Sequence, residues 1–205
     1  MATFIKHYAL EIYTVLAMMF MVITTMMDSL SSVQQYVVVF NFLFILHEWE
    51  EGFYPGGFVD LIAGLINKEL TDDLRRTSRI PTGILLIVIT LVPFFFDSNP
   101  MFAVSIATFG LLEGTVHTLG IKLFHLKKKY TPGLVTALME SALSISLLTY
   151  LATNHLAAWY DYVLGVVLFL MSFALMQKTL TMMVGIRYSD MPKLIRKQLK
   201  KKPED

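Results

Sequence analysis

The chain has 205 residues, 55% of them hydrophobic and only 16% charged, well below the roughly 25% charged that is usual in soluble domains. It carries a net charge of +1 and no cysteine, which excludes disulfides, thiolate metal sites, iron–sulfur clusters and a cysteine nucleophile. Several apolar runs reach the ~18 to 20 residues that cross a bilayer, so the expectation is an all-α, polytopic membrane helix bundle forming one domain.

In chain order, six spans are predicted, at 8–29, 33–51, 80–96, 101–122, 132–152 and 159–184. The first follows Lys6, carries Glu11 and leads to Asp28-Ser29-Leu30 without a small-residue cleavage site, so it reads as a retained anchor. Between spans two and three, Tyr54-Pro55-Gly56-Gly57 must break the helix. The rest of 52–79 reads as a short interfacial segment, either a solvated connector or a lid. Pro81, Pro100 and Pro132 stand at or near the starts of spans three, four and five, where a missing N–H costs least, and Pro93 lies inside span three. Residues 187–205 form a basic tail.

Basic residues set the orientation. Lys6, the group Lys68, Arg75, Arg76 and Arg79, the group Lys122, Lys127, Lys128 and Lys129, and Lys178, Arg187 and the 193–202 cluster alternate with loops near Asp28, Asp97 and Asn154 that hold no Lys or Arg. Six spans with both termini cytoplasmic account for every one of these positions.

The chemistry sits in the apolar runs. His47, Glu50 and Glu51 fall at i, i+3 and i+4, so an imidazole and two carboxylates share one helix face. Glu113 and His117 repeat the pairing in span four. At 1.5 Å per residue His117 lies about 7 Å, Glu113 about 13 Å, Glu140 about 12 Å and Glu11 about 8 Å from the cytoplasmic boundary. Ionisable groups are expensive at such depths and usually face the bundle interior. Gly110, Gly114 and Gly120 share the face of Glu113 and His117, and small residues let a neighbouring helix approach. Thr136, Glu140 and Ser144 stripe span five, and His7 and Glu11 pair on span one. Asn41 lies on another face of span two, and His125 and His155 sit near the interfaces.

So many carboxylates without lysine or arginine at their depth need a compensating cation. The expected ligands are His47, Glu50, Glu51, Glu113 and His117, with Glu50 and Glu51 as catalytic carboxylates. Glu140, Glu11, His7 and Tyr130 are expected around them. Imidazole and carboxylate suit a divalent zinc, iron or manganese ion without choosing among them.

The order His47-x-x-Glu50-Glu51, a Tyr-Pro turn, a buried His117 and then Tyr130-Thr131-Pro132-Gly133 resembles the HxxEE-domain membrane proteins of bacteria, from span two through span five. The resemblance implies a multi-pass protein of the bacterial inner membrane in which His47, Glu50 and Glu51 matter. It supplies no reaction. A CAAX-protease-like EExxxR motif fails because Pro55 takes the arginine position. No HExxH motif is present, and the histidines are too few for a desaturase-like enzyme.

The function expected is metal-dependent chemistry on a lipid or other membrane-borne substrate, by a hydrolase or oxidoreductase, with a metal-activated water as nucleophile and a spare carboxylate as base. Two alternatives stay open: a cation- or proton-coupled transporter, and a non-catalytic protein whose His/Glu network only fixes packing. Membrane lipids are the expected partners, a homo-oligomer is left open, and scattered lysines give nucleic-acid binding no support.

Overall fold

The structure is a computed structural model that describes residues 2–66, 68–124, 126 and 128–199. His125, Lys127 and Lys200 to Lys202 of the basic clusters lie outside the described residues. All regular structure among the described residues is helical: α1 (Ala2–His7), α2 (Ala9–Thr24), α3 (Ser32–Gly52), α4 (Phe58–Leu65), α5 (Asp72–Thr77), α6 (Arg79–Phe95), α7 (Pro100–Leu123), α8 (Leu134–Thr153), α9 (Trp159–Met183) and α10 (Met191–Leu199), with one 3-10 turn at Tyr188–Asp190.

The ends of these helices follow from local chemistry. Ser31 and Gln34 form a reciprocal cap on α3: Gln34 N donates to Ser31 Oγ at 3.2 Å, and Ser31 N donates to Gln34 Oε1 at 3.0 Å. Asn99 accepts from Met101 N ahead of Pro100, the first residue of α7. Thr71 caps α5 in the same way through Leu74 N. Helix α2 stops five residues short of the predicted span end. The hydroxyls of Thr24 and Thr25 donate to the carbonyls of Met21 and Val22, each at 2.7 Å, so side chains take over acceptors of its last turn.

Helix α7 packs along α8 and α9, while α3 lies against α2, α6 and α8. A ladder of Phe40, Phe44, Phe109 and Phe169 runs through the centre, with successive ring centroids 5.8, 5.2 and 5.9 Å apart. Close helix contact depends on missing side chains. A β-carbon at Gly110 would stand 2.9 Å from the Glu140 carbonyl oxygen, and one at Gly165 would stand 2.6 Å from the Met101 carbonyl oxygen. Asn41, set apart from the cluster by its face, is buried and donates to the Ala17 carbonyl at 3.0 Å, tying α3 to α2. Apolar side chains such as Met18, Val22, Ile145, Leu170 and Met171 point outward, where hydrocarbon would solvate them.

Among the described residues, four helical stretches are long and apolar enough to cross a membrane: Asp72–Phe95, Pro100–Leu123, Leu134–Thr153 and Trp159–Met183. The other two predicted spans are also helices but differ in kind. Ala9–Thr24 is apolar and has only 16 residues. Ser32–Gly52 has 21 residues, with its apolar run diluted by Gln34, Gln35, Asn41 and the His47–Glu51 end. The 52–79 segment is two short helices: Gly56 and Gly57, at φ +74° and +95°, turn the chain so that α4 folds back across the end of the bundle.

Candidate metal centre

The C-terminal turn of α3, the later half of α7 and the start of α8 meet at one end of the bundle. There His47, Glu51, Glu113 and His117 bring one ligand atom each to within 4.8 Å of one another. Nε2 of His47 lies 3.5 Å from Glu51 Oε1 and 3.6 Å from Glu113 Oε2. Nε2 of His117 lies 3.0 and 3.6 Å from the same two oxygens. The imidazole rings stand edge to face, 5.0 Å between centroids. His47 and His117 are 4% and 0% exposed, so water does not solvate the arrangement from the histidine side.

Counting donors fixes the two rings. Thr131 Oγ1 gives its only hydrogen to the His117 carbonyl at 3.1 Å, so it must accept from His117 Nδ1–H, also at 3.1 Å. Thr136 Oγ1 gives its hydrogen to Glu50 Oε2 at 2.6 Å and accepts from His47 Nδ1–H at 2.9 Å. Both imidazoles therefore turn Nε2 toward two carboxylate oxygens. His117 Nε2 is fully enclosed and has no hydrogen-bond partner. Two imidazole nitrogens and two carboxylates converge, an arrangement that a bound cation satisfies.

Four of the six ligand-atom spacings fit a metal, and all six are within 4.8 Å. Ligands about 2.0–2.1 Å from a tetrahedral ion stand about 3.3 Å apart, and the four His–Glu separations run from 3.0 to 3.6 Å. Two imidazoles and two carboxylates match zinc, iron or manganese.

The other expected residues separate around this group. Glu50 faces away from it and accepts from Tyr130 Oη (2.7 Å), Val135 N (3.2 Å), Thr136 N (3.0 Å) and Thr136 Oγ1. It thus caps α8 from another helix and holds the threonine that orients His47. Tyr130, beyond the end of the span, has its phenol pushed up to about 12 by burial and then by the hydrogen bond to Glu50. Glu140 is fully buried one turn along α8 from Thr136, with both carboxylate oxygens unpartnered, outside the four-residue group. His7 and Glu11 are not brought to the group: His7 is exposed and accepts from Arg76 Nη1 at 3.1 Å through Nε2. His155 is exposed, as expected.

Sequence reasoning missed three things. Phe58 of α4 is buried and stacks on His117 at 4.3 Å between centroids, closing the group from the side of the 52–79 segment. Glu48 is buried beside Glu51 and lines the adjoining cavity. Arg79 begins α6, donates to the Gly52 carbonyl at 3.2 Å and lies over the Phe53 ring, so a guanidinium stands at the end of α3 and lines the adjoining cavity. Gly133, at φ +93°, explains its turn: a β-carbon there would stand 2.6 Å from His117 Cε1, 2.8 Å from Glu51 Cγ and 3.0 Å from His47 Cε1.

These features define a helical protein with four helices of membrane-crossing length and composition and a buried two-histidine, two-carboxylate group able to hold a metal ion. The chain belongs to the HXXEE family: the family model described as a protein of unknown function with HXXEE motif matches residues 38–149, more than half the chain, and that stretch holds all four residues of the group. No curated protein and no solved structure matches it.

Proposed function

We propose that His47, Glu51, Glu113 and His117 bind one divalent metal, and that the protein is a metal-dependent membrane enzyme acting on a lipid or other membrane-borne substrate near the cytoplasmic face. One observation carries this reading: two histidines are held by Thr131 and Thr136 with both Nε2 atoms facing two carboxylates. A bound metal would supply a Lewis acid and lower the pKa of a water. The chain's own residues would do the rest. Glu50 and Tyr130 keep Thr136, and through it His47, in place. Phe58 excludes water from the His117 side. Glu48, which lines the cavity next to the group, is the carboxylate placed to take a proton, while Glu50 is fully occupied by hydrogen bonds.

The reading includes six spans, with α2 and α3 as the two beyond the four apolar stretches, both termini cytoplasmic, and the inner membrane of a bacterium as the setting. The alternation of basic and non-basic loops supports it. The test is the metal content of purified protein, wild type beside His47→Ala and His117→Ala. Near-stoichiometric metal lost from both variants is expected. Folded wild type that stays metal-free after resupply would leave an imidazolium–carboxylate network, which the 3.0–3.6 Å separations also accommodate.

A further inference from the structure

A second cavity, of about 250 Å³, lies at the same end of the bundle, where α5 packs against α1 and α2. None of the four metal-centre residues lines it, and it shares only Gly52 and Arg79 with the cavity beside that group. Three arginines face it, and their partners differ. Arg75 is engaged by carboxylates: its Nε donates to Asp60 at 2.9 and 3.2 Å, and its Nη1 donates to Asp72. Arg76 donates through Nη1 alone, to Nε2 and the carbonyl of His7 at 3.1 and 3.2 Å. Arg79 donates through Nη2 alone, to the Gly52 carbonyl. Among the described residues neither Arg76 nor Arg79 forms an ion pair with a carboxylate. Two guanidinium forks, charged at any ordinary pH, therefore open on one space with no protein anion to fill them.

Gly52 makes room for this arrangement. A β-carbon there would stand 2.5 Å from Arg79 Nη2, so the guanidinium crosses the end of α3 only because that side chain is missing. Two carboxylates also face the cavity. Asp72 is held by Arg75 at the rim, with 89% of its side chain exposed. Glu11 would repel a doubly charged ligand more than a singly charged one. The level of the cavity points to the source of the anion. Arg79 immediately precedes the apolar run that starts at Ile80, and Phe53 on the wall and Tyr54 next to it are 45% and 76% exposed. Exposed aromatic rings beside an apolar stretch mark the headgroup level of a bilayer.

We propose that this cavity is a phosphate site in which Arg76 and Arg79 hold the phosphodiester of a membrane phospholipid. Their free N–H groups match phosphate oxygens in geometry and charge. The site stands apart from the metal reading, because Arg76 touches none of the metal-centre residues.

The test uses full-length protein in detergent, stripped of lipid, and three probes: phosphatidylglycerol, diacylglycerol with the same chains, and inorganic phosphate. Native mass spectrometry counts what each chain retains. One phosphatidylglycerol per chain is expected, resistant to excess inorganic phosphate, with diacylglycerol not retained. Arg76→Gln should weaken that retention at least about tenfold, as the loss of a charge-assisted hydrogen bond implies, while melting temperature and metal content stay at wild-type values. Arg79→Gln should weaken it similarly. Lys128→Gln, which removes a charge from the same end of the bundle outside the cavity, should leave it unchanged. Equal losses in Arg76→Gln and Lys128→Gln would mean a general attraction of anionic lipid to a basic surface and would overturn the site. Retention that survives both arginine changes would overturn it as well. Diacylglycerol held as well as phosphatidylglycerol would overturn phosphate recognition, and displacement by inorganic phosphate would overturn the lipid as its source.

Discussion

A β-carbon at Gly133 would stand 2.6 Å from Cε1 of His117, so the first residue before α8 is in effect part of the wall that holds the imidazole. The backbone there, at φ +93°, already disfavours any side chain. Gly133→Ala should therefore displace His117 and Glu51 while sparing the aromatic ladder at the bundle centre. The expected result is a folded protein whose metal affinity falls at least about tenfold, by analogy with disturbed supports of metal ligands. Metal titration beside a thermal melt would check this, and an unchanged affinity would count against the four-residue centre.

Glu50 and Thr136 should behave as one unit. Glu50→Gln puts an amide NH₂ against the N–H of either Val135 or Thr136, and Thr136→Val removes the acceptor of His47 Nδ1–H. Each change should weaken metal binding by about 10- to 100-fold without abolishing it. The double variant should lose much less than the product of the two effects, because both act through His47. Additive losses would show that Glu50 acts independently of that threonine.

Tyr130 gives a pH signature. Its phenol is pushed up to about 12 from the ordinary 10.0, so the fold favours the protonated form. The stabilisation is complete below pH 10 and disappears as the pH climbs through about 12. Following phenolate absorbance, wild type should show one more late-titrating tyrosine than Tyr130→Phe does. The stability gap between the two proteins should close across that same window. A gap that is constant with pH would argue against the Tyr130–Glu50 bond.

Phe58→Ala removes the ring stacked on His117. Truncating a buried phenylalanine typically costs about 3–5 kcal/mol. Here the loss should appear locally, as faster hydrogen exchange in α4 and in the first turns of α8, with α7 and α9 protected as before. Uniform acceleration along the whole chain would mean that α4 belongs to the cooperative core and is not a cover.

The absence of cysteine makes orientation directly measurable. Ser98→Cys and Asn154→Cys should react with a membrane-impermeant maleimide on intact cells, and Lys128→Cys and Ser189→Cys only after lysis. The reverse pattern would invert the proposed topology.

The helical class and the convergence of His47, Glu51, Glu113 and His117 were legible because i, i+4 spacing and depth along a helix are one-dimensional quantities. Five of the six predicted spans match a helix to within two residues at each end. Glu50 shows where that logic stops. It shares the face of His47 and Glu51, but the orphan amides at the start of α8 capture its carboxylate, and no periodicity within α3 reports the position of another helix. Phe58 was hidden for a similar reason: the turn at Gly56 and Gly57 signals a reversal but not its direction. His7 and Glu11 pair on one predicted span, yet they fall on two helices, at the end of α1 and in α2, and His7 is turned toward Arg76.

The bond from Glu50 to the start of α8 spans 86 positions in the chain, which gives the site an order of assembly. When α3 leaves the ribosome it carries His47 and Glu51 with nothing to fix the His47 ring. His117 follows with α7, and its partner Thr131 emerges just after. Only when α8 has been made do Thr136, Glu50 and Gly133 close around both imidazoles. A nascent chain truncated before α8 should therefore insert and pack much of its bundle while remaining unable to retain an ion, making ion capture a late step in biogenesis that reports a completed protein.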